Sequence, residues 1–477
     1  MPPRPFLGIT VMPEYYQYES IEQVLDNLEQ AGATAVTTSP YVMELADEKT
    51  GHREPPLDGG AGSVRVLDRP LWGQHELFMR TAPSFVPNSL SYQGLRYQPS
   101  KATDLTLREG PIVERFIKAA QGRGLKVYFQ IQAAIPPGYR VQFGGPVNDD
   151  LPRLPSGKIP QNRVANNGSL ASPHILDYQA ALISDLCQQY PSIDGIRFDW
   201  PEYPPYELDS VFVDFCHHAE AAAERMGIDF ASIQRDVAGA YHHLHHNLTS
   251  SELVHLLGED PTNRALDLRS FLNQFPGLLG WVDFKARLVE ELLQSFRQAM
   301  DEAGGNQMEL IAHAFPPPWS HVTGLDFQRA SKHCQGICVK LYGMHWAMML
   351  NNYGTQILRE NSEITETDLV HTLVHVLDLS NAANYQHLAD YRYPPPNQPH
   401  PIDAAAQIRK IEAARSQTQD CPLYVLAHSY GPVADVVERI RLALENGADG
   451  IWVNRYCYLS DEKLAGIKEL LHGVEGK

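Results

Sequence analysis

Eight short runs rich in β-branched and aromatic residues recur along the 477-residue chain, near 6–12, 34–41, 126–132, 194–200, 308–315, 337–343, 423–429 and 450–456. Stretches with apolar residues at helical spacing separate them. Strand–helix alternation of this kind builds a parallel sheet, and eight strands is the number at which such a sheet closes into a (β/α)8, or TIM, barrel. Helix starts agree with it. Ser20-Ile-Glu-Gln23 fits a capping box, Ser172-Pro173 supplies an N-cap with proline in the first turn, and Ser460-Asp461-Glu462 places acid at a helix start. The chain is therefore read as α/β, a single (β/α)8 barrel over 1–477 with helical insertions. One insertion is expected over 228–275, between the fourth and fifth strands. Another is expected over 345–420, between the sixth and seventh, and contains the proline-rich Tyr391-Arg-Tyr-Pro-Pro-Pro-Asn-Gln-Pro399. The long connections 42–108, 133–171 and 200–208 follow strands, where barrels of this type build their sites.

The charge balance narrows the partners. With 39 Lys+Arg against 57 Asp+Glu the net charge is −18, which opposes binding to a phosphate backbone, so no nucleic-acid partner is expected. No apolar run approaches the roughly 18 residues that span a bilayer, and Met-Pro-Pro-Arg-Pro-Phe lacks the apolar core of a signal peptide. The expected location is cytoplasmic, with no membrane partner; a homo-oligomer is left open. The six cysteines include no C-x-x-C pair and read as buried thiols. His242 and His246 have ligand-like spacing but lack the glutamate of H-E-x-x-H, so neither a metal nor a cofactor is expected.

Parity along each strand says which side chains face the barrel axis. In the fourth run Ile196 and Phe198 face outward, and Arg197 and Asp199 inward. The same test sends Tyr128, Gln130 and Gln132 inward from the third run and His313 from the fifth. It does so for Lys340 and Tyr342 from the sixth, His428 from the seventh, and Trp452, Asn454 and Tyr456 from the eighth. A buried polar group without a partner costs about 1–3 kcal/mol, so this convergence calls for a ligand. The alternative is purely structural, with Arg197 and Asp199 as a buried ion pair and the others bonded to one another.

Directly after Asp199 comes Trp200-Pro-Glu202-Tyr-Pro-Pro-Tyr206, which sets a second carboxylate beside the first. Two nearby carboxylates suit glycoside chemistry: one stays protonated to assist the leaving group, the other stays ionised against positive charge at the anomeric carbon. An aromatic wall of Trp200, Tyr203 and Tyr206 would raise the acid's pKa.

The run Asp194-Gly-Ile-Arg-Phe-Asp-Trp-Pro-Glu-Tyr-Pro204 resembles the strand-4 signature of chitinase-type (family 18) glycosidases. Its Gly195-x-Arg197-x-Asp199 is similar to α-amylase-type barrels, in which Arg stands two residues before the nucleophilic Asp. Trp281-Val-Asp-Phe-Lys285 and Asp449-Gly-Ile-Trp-Val-Asn-Arg-Tyr456 resemble uncharacterised glycosyl-hydrolase-like barrels more broadly. The chain departs from the chitinase pattern at Arg197, which replaces a carboxylate, and at Pro201, which is inserted before Glu202. It departs from the amylase pattern at Ala312-His-Ala-Phe315 and His428-Ser-Tyr430, where carboxylates would stand.

Together these features imply a glycosidase acting on a carbohydrate substrate. Asp199 is expected as nucleophile or oxocarbenium stabiliser, kept ionised by Arg197 within hydrogen-bond reach, and Glu202 as general acid/base. Asp326 is the next carboxylate candidate, with a helix N-cap as its alternative. Gln130, Gln132, His313, Lys340, Tyr342, His428, Asn454, Tyr456 and Trp319 are expected to bind the sugar, and the lysine and histidines favour an acidic or sulfated one. Two rivals stand: an isomerase or epimerase using Glu14, Lys340 and His313, with or without a divalent metal, and a glycan-binding barrel without turnover.

Overall fold

The computed structural model describes residues 5–57, 64–140, 142–257, 261–380 and 385–475, with backbone alone at 261–267 and 474–475. Its strands are β1 (Phe6–Thr10), β2 (Ala35–Thr38), β3 (Tyr41–Leu45), β4 (His52–Glu54), β5 (Leu77–Pro83), β6 (Lys126–Gln132), β7 (Gly195–Asp199), β8 (Glu309–Ala314), β9 (Gly336–Leu341), β10 (Leu423–His428) and β11 (Gly450–Asn454). Eight of them close a parallel barrel in the order β1-β2-β6-β7-β8-β9-β10-β11, and β11 returns to β1 with Gly450 opposite Phe6. The eightfold alternation read from sequence is this barrel.

Outward-facing residues bind the helices to the barrel. Ile196 and Phe198 are fully buried, and Phe198 packs on Phe296 of the helix Gly277–Glu302 with ring centroids 4.4 Å apart. Inside, large and small residues interlock. Trp452 lies across β1 at Gly8, where a Cβ would stand 2.1 Å from the indole, so only glycine fits. The helix Pro173–Gln189 starts as its sequence dictates, with Ser172 Oγ accepting from the Ile175 N–H and Pro173 in the first turn. Ser20 caps Ile21–Gln30 by accepting from the Gln23 N–H, but the Gln23 side chain turns to Asn27, so the box is half formed.

One expectation is corrected. The run 34–41 is not one strand: β2 ends at Thr38, and Tyr41 opens an antiparallel sheet, β3-β5-β4, inside the connection read as a loop. More than thirty residues separate β3 from its partner β5, so no hairpin signal marks the pairing. The stretch 228–275 holds helices Phe230–His242, Ser250–Leu257 and Pro261–Gln274. The stretch 345–420 holds most of Gly343–Glu360, together with Glu366–Val376 and Ala404–Arg415. Residues 258–260 and 381–384 of these stretches lie outside the described residues. All six cysteines are buried and free. Among the described residues no helix is long and apolar enough to cross a membrane.

Candidate active site

β7 ends at the barrel mouth in Asp199. The next residue, Trp200, takes a left-handed backbone (φ 51°), a conformation that costs a non-glycine residue about 1–3 kcal/mol. The turn folds the Trp200 N–H back onto Asp199 Oδ1 at 3.1 Å. On the same oxygen converge His313 Nδ1 from β8, at 3.2 Å, and the Lys340 ammonium from β9, at 3.0 Å in ion-pair rather than aligned hydrogen-bond geometry. His313 and Lys340 are buried, whereas the Asp199 side chain keeps 19% of its exposure. The carboxylate is therefore held from behind and open in front.

Electrostatics follow from this packing. Burial alone would push the Asp199 carboxyl up; the Lys340 ammonium and the His313 ring outweigh it and hold it well below the usual carboxylate range. Burial and the nearby Arg197 push His313 down to about 4 against the pull of Asp199, so its ring is neutral near pH 7. Because a carboxylate only accepts, Nδ1 carries the hydrogen, and the buried Nε2 is left with an unshared lone pair.

Arg197 does not pair with Asp199. Its guanidinium donates to Thr37 Oγ1 at 2.8 Å and lies over the Trp452 ring at 3.8 Å. Residues two apart share parity but stand about 6.6 Å apart along a strand, so Arg197 fills the layer below, and Lys340 and His313 take the place expected for it.

Glu202 is fully buried. Its Oε1 accepts from the Phe315 N–H at 2.8 Å and its Oε2 from Thr323 Oγ1 at 2.5 Å, which ties the loop after β7 to the loop after β8. Burial raises its pKa to about 7 against the opposing pull of Lys340 and these hydrogen bonds.

Around the mouth, Gln132 registers with Asp199 across the β6–β7 ladder and Gln130 with Arg197, and both leave a buried Oε1 without a partner. Asn454 Nδ2 donates to the Tyr342 hydroxyl at 2.7 Å while its own Oδ1 is unpartnered, and the Tyr342 ring meets His428 edge-on at 4.9 Å. Burial, with Arg65 and His345 nearby, drives His428 well below its usual range, so it too is neutral. Lys340 is thus engaged by Asp199, and both histidines are neutral near pH 7. Phe315 and Trp200 flank the Lys340 ammonium at 4.6 and 5.3 Å.

Three candidates fall elsewhere. Asp326 is exposed and caps the helix Phe327–Ala330 through the Arg329 N–H, so its capping alternative is the one realised. Tyr456 lies beyond the end of β11 in a turn where strand parity no longer applies; its hydroxyl joins Asn27 and Glu19 on the outer helices. Trp319 is buried against Trp346 and Lys410. Tyr203 also turns away, its hydroxyl donating to Asp214.

Sequence reasoning missed His345 and Phe315. His345 follows β9 on the helix Gly343–Glu360, its Nδ1 3.3 Å from the Tyr206 hydroxyl, and its position just beyond a strand end was the available signal. Glu14 belongs to a separate buried cluster, with Arg140 at 2.9 Å and Tyr41 at 3.2 Å, and Arg140 also pairs with Glu54 at 2.8 Å. Among the described residues Asp150, His174 and His218 have ligand composition, but the Asp150 carboxylate already accepts from Ser172, Tyr97, His218 and Arg96. Those four bonds account for its buried charge without a metal.

No protein-family model matches the chain, and no curated protein matches it in sequence. Solved structures do match. A β-galactosidase from the psychrophilic Marinomonas ef1 superposes with a TM-score of 0.52 at 12% identity, over 98% of this chain and 59% of that one. The chain shares the barrel fold of that enzyme. A β-galactosidase from Bacillus circulans sp. alkalophilus superposes similarly, with a TM-score of 0.51 at 10% identity, over 99% of this chain and 56% of that one. The chain thus spans less than two thirds of either enzyme's length, and identities this low speak to the fold alone.

Proposed function

We propose that this barrel hydrolyses a glycosidic bond, with Asp199 as the carboxylate that attacks or stabilises the anomeric carbon. The observation that carries the reading is the three-point grip of Trp200 N–H, His313 and Lys340 on one oxygen of a partly exposed Asp199. That grip keeps the group ionised and oriented, as such a role requires. The unpartnered polar atoms of Gln132, level with Asp199, and of Asn454 supply hydrogen-bond sites for sugar hydroxyls. Glu202 takes the acid role as the neighbouring carboxyl that holds its proton near neutrality. It would protonate the leaving oxygen as the glycosidic bond breaks and recover the proton from water. Because both its oxygens are engaged, this requires the Thr323 bond to open on substrate binding.

A second reading rests on one atom. The free Nε2 of neutral His313, with Nδ1 held by Asp199, forms a general base that could move a proton on a free sugar, as in an isomerase or epimerase. Release of reducing ends from a glycan panel, run beside deuterium wash-in from heavy water into free sugars, separates the two. Hydrolysis without wash-in supports the first reading; wash-in without hydrolysis replaces it with the second; neither leaves a binding barrel.

A further inference from the structure

A polar cavity of about 750 Å³ lies against the chain that follows β7, lined by Glu207, Asp209, Asn352, Gln356 and Arg359 among others. A second cavity of about 580 Å³ shares Gln161 and Asp209 with it and reaches Arg153 and Lys158. Both volumes fall in the roughly 300–1,000 Å³ range of small-molecule sites. The helix Gly343–Glu360 lines the first of them and begins at the end of β9, at the mouth. It carries His345 at the mouth and Asn352, Gln356 and Arg359 farther along, at spacings of three or four residues that keep the last three on one face. From His345 to Arg359 the helix rises about 21 Å.

The chain after β7 also borders both the mouth and the first cavity. Tyr206 meets Trp200 and Phe315 edge-on in the mouth, at 5.9 and 5.4 Å. Its carbonyl accepts from Asn352 Nδ2 at 3.2 Å, and the same amide donates to Glu207 Oε1 at 2.9 Å. Asp209 is fixed by the Tyr241 hydroxyl at 2.8 Å and by the Gln356 amide. Burial and Asp209 raise Glu207 to about 7, so near neutrality it both donates and accepts.

We infer that this groove binds the sugar units of a neutral oligosaccharide beyond the one held at Asp199, so that the substrate is a glycan chain rather than a small glycoside. Its lining is chiefly amides and carboxyls, which pair donors with acceptors as neighbouring sugar hydroxyls do. In the first cavity the five amides outnumber the charged side chains, Glu207, Asp209 and Arg359, whose signs offset one another, and the net charge of the whole chain, −18, opposes a polyanion. The inference rests on the reading of the mouth as a sugar site, and the test reads binding without turnover so that the two can fail separately.

Neutral gluco-, galacto-, manno- and xylo-oligosaccharides from mono- to hexasaccharide, with uronate and sulfated ladders alongside, are titrated calorimetrically into the full chain. Affinity in at least one neutral series is expected to rise about tenfold between di- and pentasaccharide. In Gln356→Ala and in Arg359→Ala that ratio is expected to collapse towards one. Arg359 is 68% exposed, so its variant reports on binding even if loss of the Gln356–Asp209 contact unfolds the other. Affinity independent of length, a preference for the charged ladders, a ratio untouched by Arg359→Ala, or no binding across the panel overturns the inference. Length-dependent binding without hydrolysis supports the groove and counts against the hydrolase alone.

Discussion

The Lys340 ammonium stands 3.0 Å from Asp199 Oδ1, in the position where the sequence places Arg197. Lys340 is buried, so this pair sets the charge of the site. Removing Lys340 takes away the largest force holding the Asp199 carboxyl down and leaves burial to raise it. In Lys340→Met the acid limb of the kcat/KM profile is therefore expected to move to higher pH. Loss of one partner is also expected to cost on the order of 3 kcal/mol in urea unfolding, most of it recovered in Lys340→Met/Asp199→Asn. An unmoved acid limb, or additive single losses, contradicts the pairing.

His313 is expected to be neutral throughout the physiological range, because burial and Arg197 bring it down to about 4. Its ring resonances, assigned by comparison with His313→Gln, should not titrate between pH 5.5 and 8, roughly the interval around an ordinary histidine. A midpoint near 6.5 would mean that the ring is solvated or charged, and the Nε2 lone pair would lose its meaning.

Glu202 binds its proton more tightly in the folded chain than in the unfolded one, since its pKa rises from 4.5 to about 7. Its contribution to stability is thus fully present below pH 4.5 and is lost as pH rises through about 7. Glu202→Gln cannot titrate. The unfolding free energy of the native chain minus that of the variant should fall with rising pH across this window, by on the order of 3 kcal/mol at most. Glu14 and Glu207, raised in the same direction, are common to both chains and cancel. A difference flat with pH would show that the carboxyl is not shifted.

Arg140 is the cation shared by Glu14 and Glu54, all three buried. Arg140→Met leaves two carboxyls facing each other without compensation. It should destabilise the chain by about 3–5 kcal/mol near neutral pH, and less in acid, where Glu14 takes up its proton. Equal losses at both pH values would mean that packing, not charge, is what Arg140 contributes.

Strand parity made much of the mouth legible. It placed Asp199, His313 and Lys340 inward, and their mutual contacts follow from neighbouring strand ends. Parity gives a face but not a depth, which is why Arg197 was matched to the wrong layer. It also stops where the strand stops, and Tyr456 lies two residues past that point. Asp326 was open to two readings because an N-cap and a loop carboxylate look alike until the following amide is located. The β3-β5-β4 sheet was not legible, because its pairing is set by distant residues rather than by a turn.

The most direct test of the account is the rate at which Asp199→Asn releases reducing ends from a glycoside that the native chain cleaves, with folding confirmed by circular dichroism. Asn keeps the shape and can still accept on its oxygen, but it brings no charge to the anomeric carbon. The account predicts a fall in kcat/KM of at least about 100-fold. A variant that cleaves the same glycoside at the native rate would contradict it.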